Sequence, residues 1–273
     1  MRVASETRRG SRTLLAGLLA VSTLLLLAAM SLWQVTAPSN ALSLLRQGIA
    51  SATELDQLLA QDGDTIRSYA LAADSVVISV PGYAIDIAVT KDEVLRNDDR
   101  QLADLLLERS AALVYREGLG AFDVTGDQHI GILSAQGLLD LLVGRLNADT
   151  HRRTGQASVV LAFIGGAAAV LLAIQENGFR RIRMVGQAVV MGAVPGLVLS
   201  FGAAFIANRL GSNDPFVSDV RALLLAALNL LVRNFGIASV MGGAVMACGI
   251  TLSIIGGRVG VSTKTGEDDL DFE

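Results

Sequence analysis

The chain has little of several residue types on which common functional sites depend. It contains one cysteine, Cys248, so an intramolecular disulfide and a cysteine-based metal cluster are both excluded. Its two histidines, His129 and His151, are too few for a histidine-rich metal centre. A catalytic base would therefore have to be one of these histidines or a carboxylate.

Charged and aromatic residues are scarce as well. Charged residues make up 18% of the 273 residues and aromatic residues 4%, against 52% hydrophobic residues. An ordinary soluble domain is about 25% charged. The mean hydropathy of +0.51 excludes a disordered chain. The formal net charge is −4 and no long segment is basic, so we expect no nucleic acid partner, and no motif indicates a cofactor.

The hydrophobic excess is concentrated in four segments that lack any charged residue. A bilayer core about 30 Å thick requires roughly 20 helical residues, and soluble core helices seldom run that long without a charged face. The four segments are residues 14–35, 157–174, 185–207 and 235–255. The sequence therefore predicts an α-helical integral membrane protein with four transmembrane helices, surrounded by the lipid bilayer.

The first segment could be either a cleavable signal peptide or a signal anchor. Four arginines precede it within residues 1–13, as in both kinds of segment. Residues 14–35 are longer than the usual apolar region of a signal peptide, which is about 7–15 residues. Pro38 directly follows the small residue Ala37 and disfavours cleavage there. We therefore interpret this segment as an uncleaved signal anchor.

Basic residues next to the segments predict the orientation, because cytoplasmic loops carry an excess of lysine and arginine. Arginines are concentrated in residues 1–13 and in the short link 175–184, and basic residues also begin the acidic tail, 258–273. Both termini are then cytoplasmic at the cell membrane. Residues 36–156, with 10 basic and 17 acidic residues, are then extracytoplasmic. Arg152 and Arg153 oppose this assignment, since they adjoin the second segment on the outer side.

Residues 36–156 have the patterning of a folded α+β domain: helix, β-hairpin, helix, short strand, helix. A threonine–glutamate capping box at Thr90–Glu93 and a C-terminal glycine, Gly118, bound the second helix region. Turns are expected at Gln61–Thr65 and at Pro81–Gly82. The expected elements are helix 40–61, hairpin 75–89, helix 97–117, strand 130–133 and helix 135–147.

Residues 216–233, between the third and fourth segments, form an amphipathic pattern too short to cross a membrane. Apolar residues recur there at steps of three and four, as on one face of a helix. The predicted helix either lies in the plane of the interface or leads into the fourth segment as one long helix.

Asp123, Thr125 and Asp127 occupy positions 1, 3 and 5 of a weak calcium-loop pattern, in which alternate oxygen ligands point inward. The pattern then fails, because Gln128 replaces the required glycine and Ser134 replaces the bidentate glutamate. A turn rich in aspartate and glycine explains the same residues. His129 lies close to these acids, yet no nucleophile motif accompanies it, so a surface histidine is the simpler interpretation.

Small residues at helical steps in the third and fourth segments predict close helix packing. They are Gly192, Pro195, Gly196, Gly242 and Gly243. The segments contain no Asp, Glu, Lys, Arg or His, which disfavours an ion-coupled transporter. We therefore expect the glycine-rich helices to pack within the chain, with a protein partner, or in a homo-oligomer.

These observations predict a multi-pass membrane protein that displays an acidic extracytoplasmic domain. Its role would be protein interaction, assembly or sensing, and it would not be catalytic. One alternative is an accessory subunit of a membrane transport complex, with the three clustered helices packing on a permease. A second alternative is a membrane-anchored hydrolase acting in the extracytoplasmic domain.

Overall fold

The computed structural model describes residues 2–53, 55–83, 85–118, 144–176, 178–209 and 215–262. The elements, in chain order, are α1 (Arg2–Val35), α2 (Pro38–Thr53), α3 (Leu55–Ala72), β1 (Val77–Ser79), β2 (Ala88–Thr90), α4 (Lys91–Arg96), α5 (Asp99–Glu117), α6 (Ala148–Gln175), α7 (Arg180–Arg209) and α8 (Pro215–Ser262). They form two compact units. The membrane unit is Met1–Ser31, Gly155–Phe205 and Leu228–Glu273, and the loop unit is Leu32–Thr154 and Ile206–Ala227.

Four helices are long and apolar enough to cross a membrane, which confirms the number of spans expected from the sequence. The four candidate spans are Gly10–Val35, Ala148–Gln175, Arg180–Arg209 and Leu224–Ile255, and each contains a stretch of 18 residues with a mean hydropathy between 1.9 and 2.5. Large apolar side chains such as Leu14 and Phe163 are 76% and 77% exposed. Such exposure would be costly in water and is expected in lipid. The chain is therefore a multi-pass membrane protein.

Residues 216–233 are not a separate helix. They are the first part of α8, which runs without a break for 48 residues from Pro215 to Ser262. Of the two alternatives for this segment, the structure therefore shows the second, one long helix that leads directly into the fourth span. Pro215 suits the first turn, because a proline there removes only an N–H that has no helical partner.

A small core joins three helices within the membrane unit. Leu19 of α1, Ala168 and Leu172 of α6, and Ala188 of α7 are almost fully buried against one another. Two of these four residues are alanines, so the helix axes can approach closely at this point. In lipid such contacts stabilise by van der Waals packing, because the acyl chains are as apolar as the side chains themselves.

The loop unit is built on the apolar faces of α2, α3 and α5. Each helix buries residues spaced by four, seven or eight positions, which is the pattern of an amphipathic helix. The most buried are Ala41, Leu45 and Ile49 of α2, Leu59, Ile66 and Ala70 of α3, and Leu102, Leu106 and Val114 of α5. The packing of α2 against α5 is the most extensive in this unit.

The expected hairpin is present. β1 and β2 pair antiparallel, with Ile78 opposite Val89, and Gly82 in the connection has φ +79°. Residues Ile78 and Val80 are buried, whereas Val77 is half exposed. The buried face of β1 therefore carries Ile78, because opposite residues in a ladder share a face.

The turn expected at Gln61–Thr65 is wrong, since α3 continues through it to Ala72. Ile66 continues the buried stripe that begins at Leu55 and Leu59, so burial outweighs the turn composition of this stretch. Gly63 also has a tertiary role: a Cβ added there would lie 3.3 Å from Oδ1 of Asp99 on α5.

The caps of α4 and α5 explain why residues 91–117 form two helices. The Thr90–Glu93 capping box begins α4 as expected, and Asn97 ends it. A second capping box, from Asp98 to Gln101, begins α5, and Gly118 ends that helix with φ +63°. The expected start of the longer helix at Asn97 is thus shifted by two residues.

Several expected features lie outside the described residues. They are the calcium-loop residues Asp123, Thr125 and Asp127, the histidine His129, the strand 130–133 and most of the helix 135–147. These features stay predictions from the sequence.

Candidate functional sites

Three glycines bring α7 and α8 into backbone contact within the membrane unit. A Cβ added at Gly186 would lie 2.5 Å from the backbone nitrogen of Met246 and 2.8 Å from the carbonyl oxygen of Gly242. A Cβ added at Gly249 would lie 2.5 Å from the backbone nitrogen of Arg183. Real Cβ contacts are never so short, so only glycine permits this helix separation.

The other expected packing residues have different surroundings. A Cβ at Gly192 would collide with the carbonyl oxygen of Ala20 on α1, and one at Gly196 would collide with the ring of Phe235 on α8. Pro195 lies inside α7. A Cβ at Gly243 would meet nothing within 4 Å.

Gly186 was missing from the residues expected to pack. A usable signal existed, because Ala193 follows Gly186 by seven residues and so lies on the same helix face. Gly249 follows Gly242 by the same seven residues on α8.

Glu176 is a buried carboxylate at the end of α6, and its side chain is only 3% exposed. Its Oε1 lies 3.1 Å from Nη1 of Arg12, and its Oε2 lies 3.6 Å from Nε of Arg180. Arg12 also donates from Nη2 to the carbonyl oxygen of Gln175 at 3.1 Å. A buried carboxylate is tolerated when cations lie against it in this way, and here the compensation is by charge, since the Oε1 of Glu176 accepts no hydrogen bond from the described residues.

A second polar cluster lies within the loop unit, around His151 at the start of α6. The His151 ring stacks on Trp33 with centroids 5.4 Å apart and 14° between the planes. Its Nδ1 is 3.1 Å from the carbonyl oxygen of Trp33, which accepts only from a protonated nitrogen. Tyr115 of α5 donates its hydroxyl to the carbonyl oxygen of buried Thr36 at 3.0 Å. These contacts fix the ends of three helices.

Glu93 links the hairpin to α4 and α5. The backbone N–H of Thr90 donates to its carboxylate at 2.8 Å, and the two terminal nitrogens of Arg109 donate at 2.5 and 3.1 Å. The Thr90 hydrogen bond and then Arg109 lower the pKa of Glu93. Because its pKa is lowered, this carboxylate stabilises the fold at pH values above its unfolded-state pKa. The stabilisation is lost as the pH falls through the folded-state pKa.

An open groove of about 510 Å³ lies between α2 and α5, on the surface of the loop unit. Its walls combine hydroxyl, amide and charged side chains with apolar ones, and an ion pair of 3.4 Å joins Arg46 to Asp104 across it. The lining residues are Ser39, Leu42, Ser43, Arg46, Gln47, Ala50, Asp104 and Leu107. We call this feature the α2–α5 groove.

No group of three or more histidine, cysteine, aspartate or glutamate side chains that could hold a metal ion occurs in the described ranges. Comparison with protein-family models, with curated proteins and with solved structures gave no significant match to the chain.

Proposed function

We propose that this multi-pass membrane protein displays an acidic extracytoplasmic α+β domain, residues 36–156, that binds a protein partner without catalysing a reaction. The arginine-rich ends at residues 1–13 and 175–184 support an orientation with both termini in the cytoplasm. The net acidic character of residues 36–156 agrees with translocation of that segment.

The α2–α5 groove is the observation that supports a binding role most directly. Leu42, Ala50 and Leu107 supply apolar surface, and Ser39 and Ser43 supply exposed hydroxyls one helical turn apart. A partner segment that offers both apolar side chains and hydrogen-bonding groups matches this lining. Arg46 and Asp104, both partly exposed, would restrict the register of such a segment through their opposite charges.

Photo-crosslinking in native membranes tests this role. With a benzophenone amino acid at Ser43, in the groove, we expect a discrete adduct, because a bound partner would lie within reach of that side chain. Asp64 is the matched control site, since its side chain is fully exposed on α3 and it does not line the groove. Ala50→Trp, which fills the groove, should abolish the Ser43 adduct.

The identity of the adduct distinguishes the alternatives. A partner other than a permease supports the interaction role, an adduct with a second copy of the chain supports assembly, and a stoichiometric permease supports an accessory transport subunit instead. Equal adduct yields from Ser43 and Asp64, or no adduct from Ser43, would show that the groove is not the binding surface.

A further inference from the structure

Three exposed arginines follow the turn between α6 and α7 in the membrane unit: Arg180, Arg181 and Arg183. Arg180 shares Glu176 with Arg12, as described above. In the part of the chain that the structure describes, Arg181 and Arg183 have no carboxylate within 4.0 Å. Two guanidinium groups at this end of the unit therefore carry charge that Glu176 does not balance.

The stem of Arg181 is held in place while its terminal nitrogens stay exposed. Its Nε donates to the carbonyl oxygen of Gly178 at 2.8 Å. Gly178 has φ +60°, a left-handed conformation that glycine adopts without a steric penalty. The backbone of Arg183 lies against Gly249 of α8, so its position is also fixed by helix packing. Both cations are thus presented from a defined backbone.

Exposed apolar side chains occur on the same turn and on the last turns of α6, which lead into it. Phe179 is 44% exposed, Leu171 is 50% exposed and Ile174 is 73% exposed. The arginines begin α7, the third apolar helix, and so lie where an apolar span meets the headgroup region. A ligand that carries both an anionic head and apolar chains matches this pairing of surfaces.

We propose that Arg181 and Arg183 bind phosphates of anionic phospholipids at this end of the membrane unit, with acyl chains against Leu171 and Ile174. Guanidinium groups pair with phosphate oxygens through two parallel hydrogen bonds. A free phosphate would use only the cations and would leave the adjacent apolar surface uncovered. This site is independent of the α2–α5 groove, so either proposal can fail without the other.

Native mass spectrometry of the full chain tests the proposal after release from mixed phosphatidylglycerol and phosphatidylcholine micelles. We expect selective retention of phosphatidylglycerol. The variant R181Q/R183Q should reduce that retention about 25-fold, because each arginine near an anionic surface contributes a factor of roughly five. The matched control is R152Q/R153Q, which removes the same charge from exposed positions at the other end of α6 and should leave retention unchanged.

Two further experiments test whether another ligand binds the same arginines. Excess inorganic phosphate should not displace the lipid, and displacement would indicate a simple anion site. The tail beyond residue 262 carries five carboxylates and is the competing ligand within the chain. Deletion of the tail should leave the retention of phosphatidylglycerol unchanged. A large gain in lipid retention would instead show that the arginines bind the tail. An equal loss in both arginine double variants would show bulk charge attraction and overturn the site.

Discussion

Arg12→Ala is expected to lower the free energy of unfolding of the membrane unit by about 3 kcal/mol, because it leaves a buried carboxylate with one distant cation. Glu176 is 3% exposed and its shorter ion pair, at 3.1 Å, is with Arg12. Arg180 stays as a partner at 3.6 Å, which places the loss at the lower end of the range for broken buried pairs. Denaturation of the purified protein in mixed micelles would measure it.

Two matched variants show whether the loss comes from the unpaired charge. Arg153→Ala breaks an ion pair with Asp149 in which both side chains are more than three-quarters exposed, and it should cost less than about 1 kcal/mol. Arg12→Met combined with Glu176→Met removes both charges and should recover most of the stability. If the double variant is as unstable as Arg12→Ala, Arg12 acts through packing and the electrostatic explanation fails.

Gly186→Ala is expected to destabilise the contact of α7 with α8 by about 1–3 kcal/mol, the usual cost of overpacking. The added Cβ would lie 2.5 Å from a backbone nitrogen of α8, and backbone cannot move aside as a flexible side chain can. The midpoint of thermal unfolding in detergent should fall accordingly.

Gly243→Ala is the control for this substitution, because its Cβ would meet nothing within 4 Å. Alanine has the higher helix propensity, by about 0.8–1.0 kcal/mol in water, so this variant should be neutral or slightly more stable. Comparable losses at Gly186 and Gly243 would contradict the close approach, and a loss only at Gly243 would indicate that its open face is covered by another molecule.

The membrane spans could be predicted because their signal is local. A run of about 20 uncharged residues has few structural uses other than a transmembrane helix, and each of the four runs lies within a single helix. The caps at Thr90 and Gly118 were predictable for the same reason, since a capping box and a C-terminal glycine are patterns of a few adjacent residues.

The errors occurred where distant residues decide the structure. The composition of Gln61–Thr65 favours a turn, but the helix continues, because Arg67 of α3 binds Asp99 of α5 and Gly63 leaves room for that carboxylate. Likewise, β1 faces the core with Ile78 because that residue pairs with Val89 across the hairpin. Local patterns do not contain the register that selects between two faces of a strand.

The buried ion pair and the groove could not be predicted from the sequence. Arg12 and Glu176 are 164 residues apart, and the charge pattern of each segment indicates only a basic flank of an apolar span. The one local hint was that Glu176 is the single acid in a ten-residue link with three arginines. The groove depends on the packing of α2 against α5. A periodic pattern predicts that each helix has an apolar face, but it does not predict which helices pack together.

Cysteine labelling in intact cells tests the central claim, that the spans carry residues 36–156 outside the cytoplasm. The exposed Cys248 is first replaced by alanine, and single cysteines are then introduced at Asp64 and, separately, at Arg181. A membrane-impermeant maleimide should label the cysteine at position 64 in intact cells and the one at position 181 only after permeabilisation. The reverse pattern, or labelling of both positions in intact cells, would contradict the account.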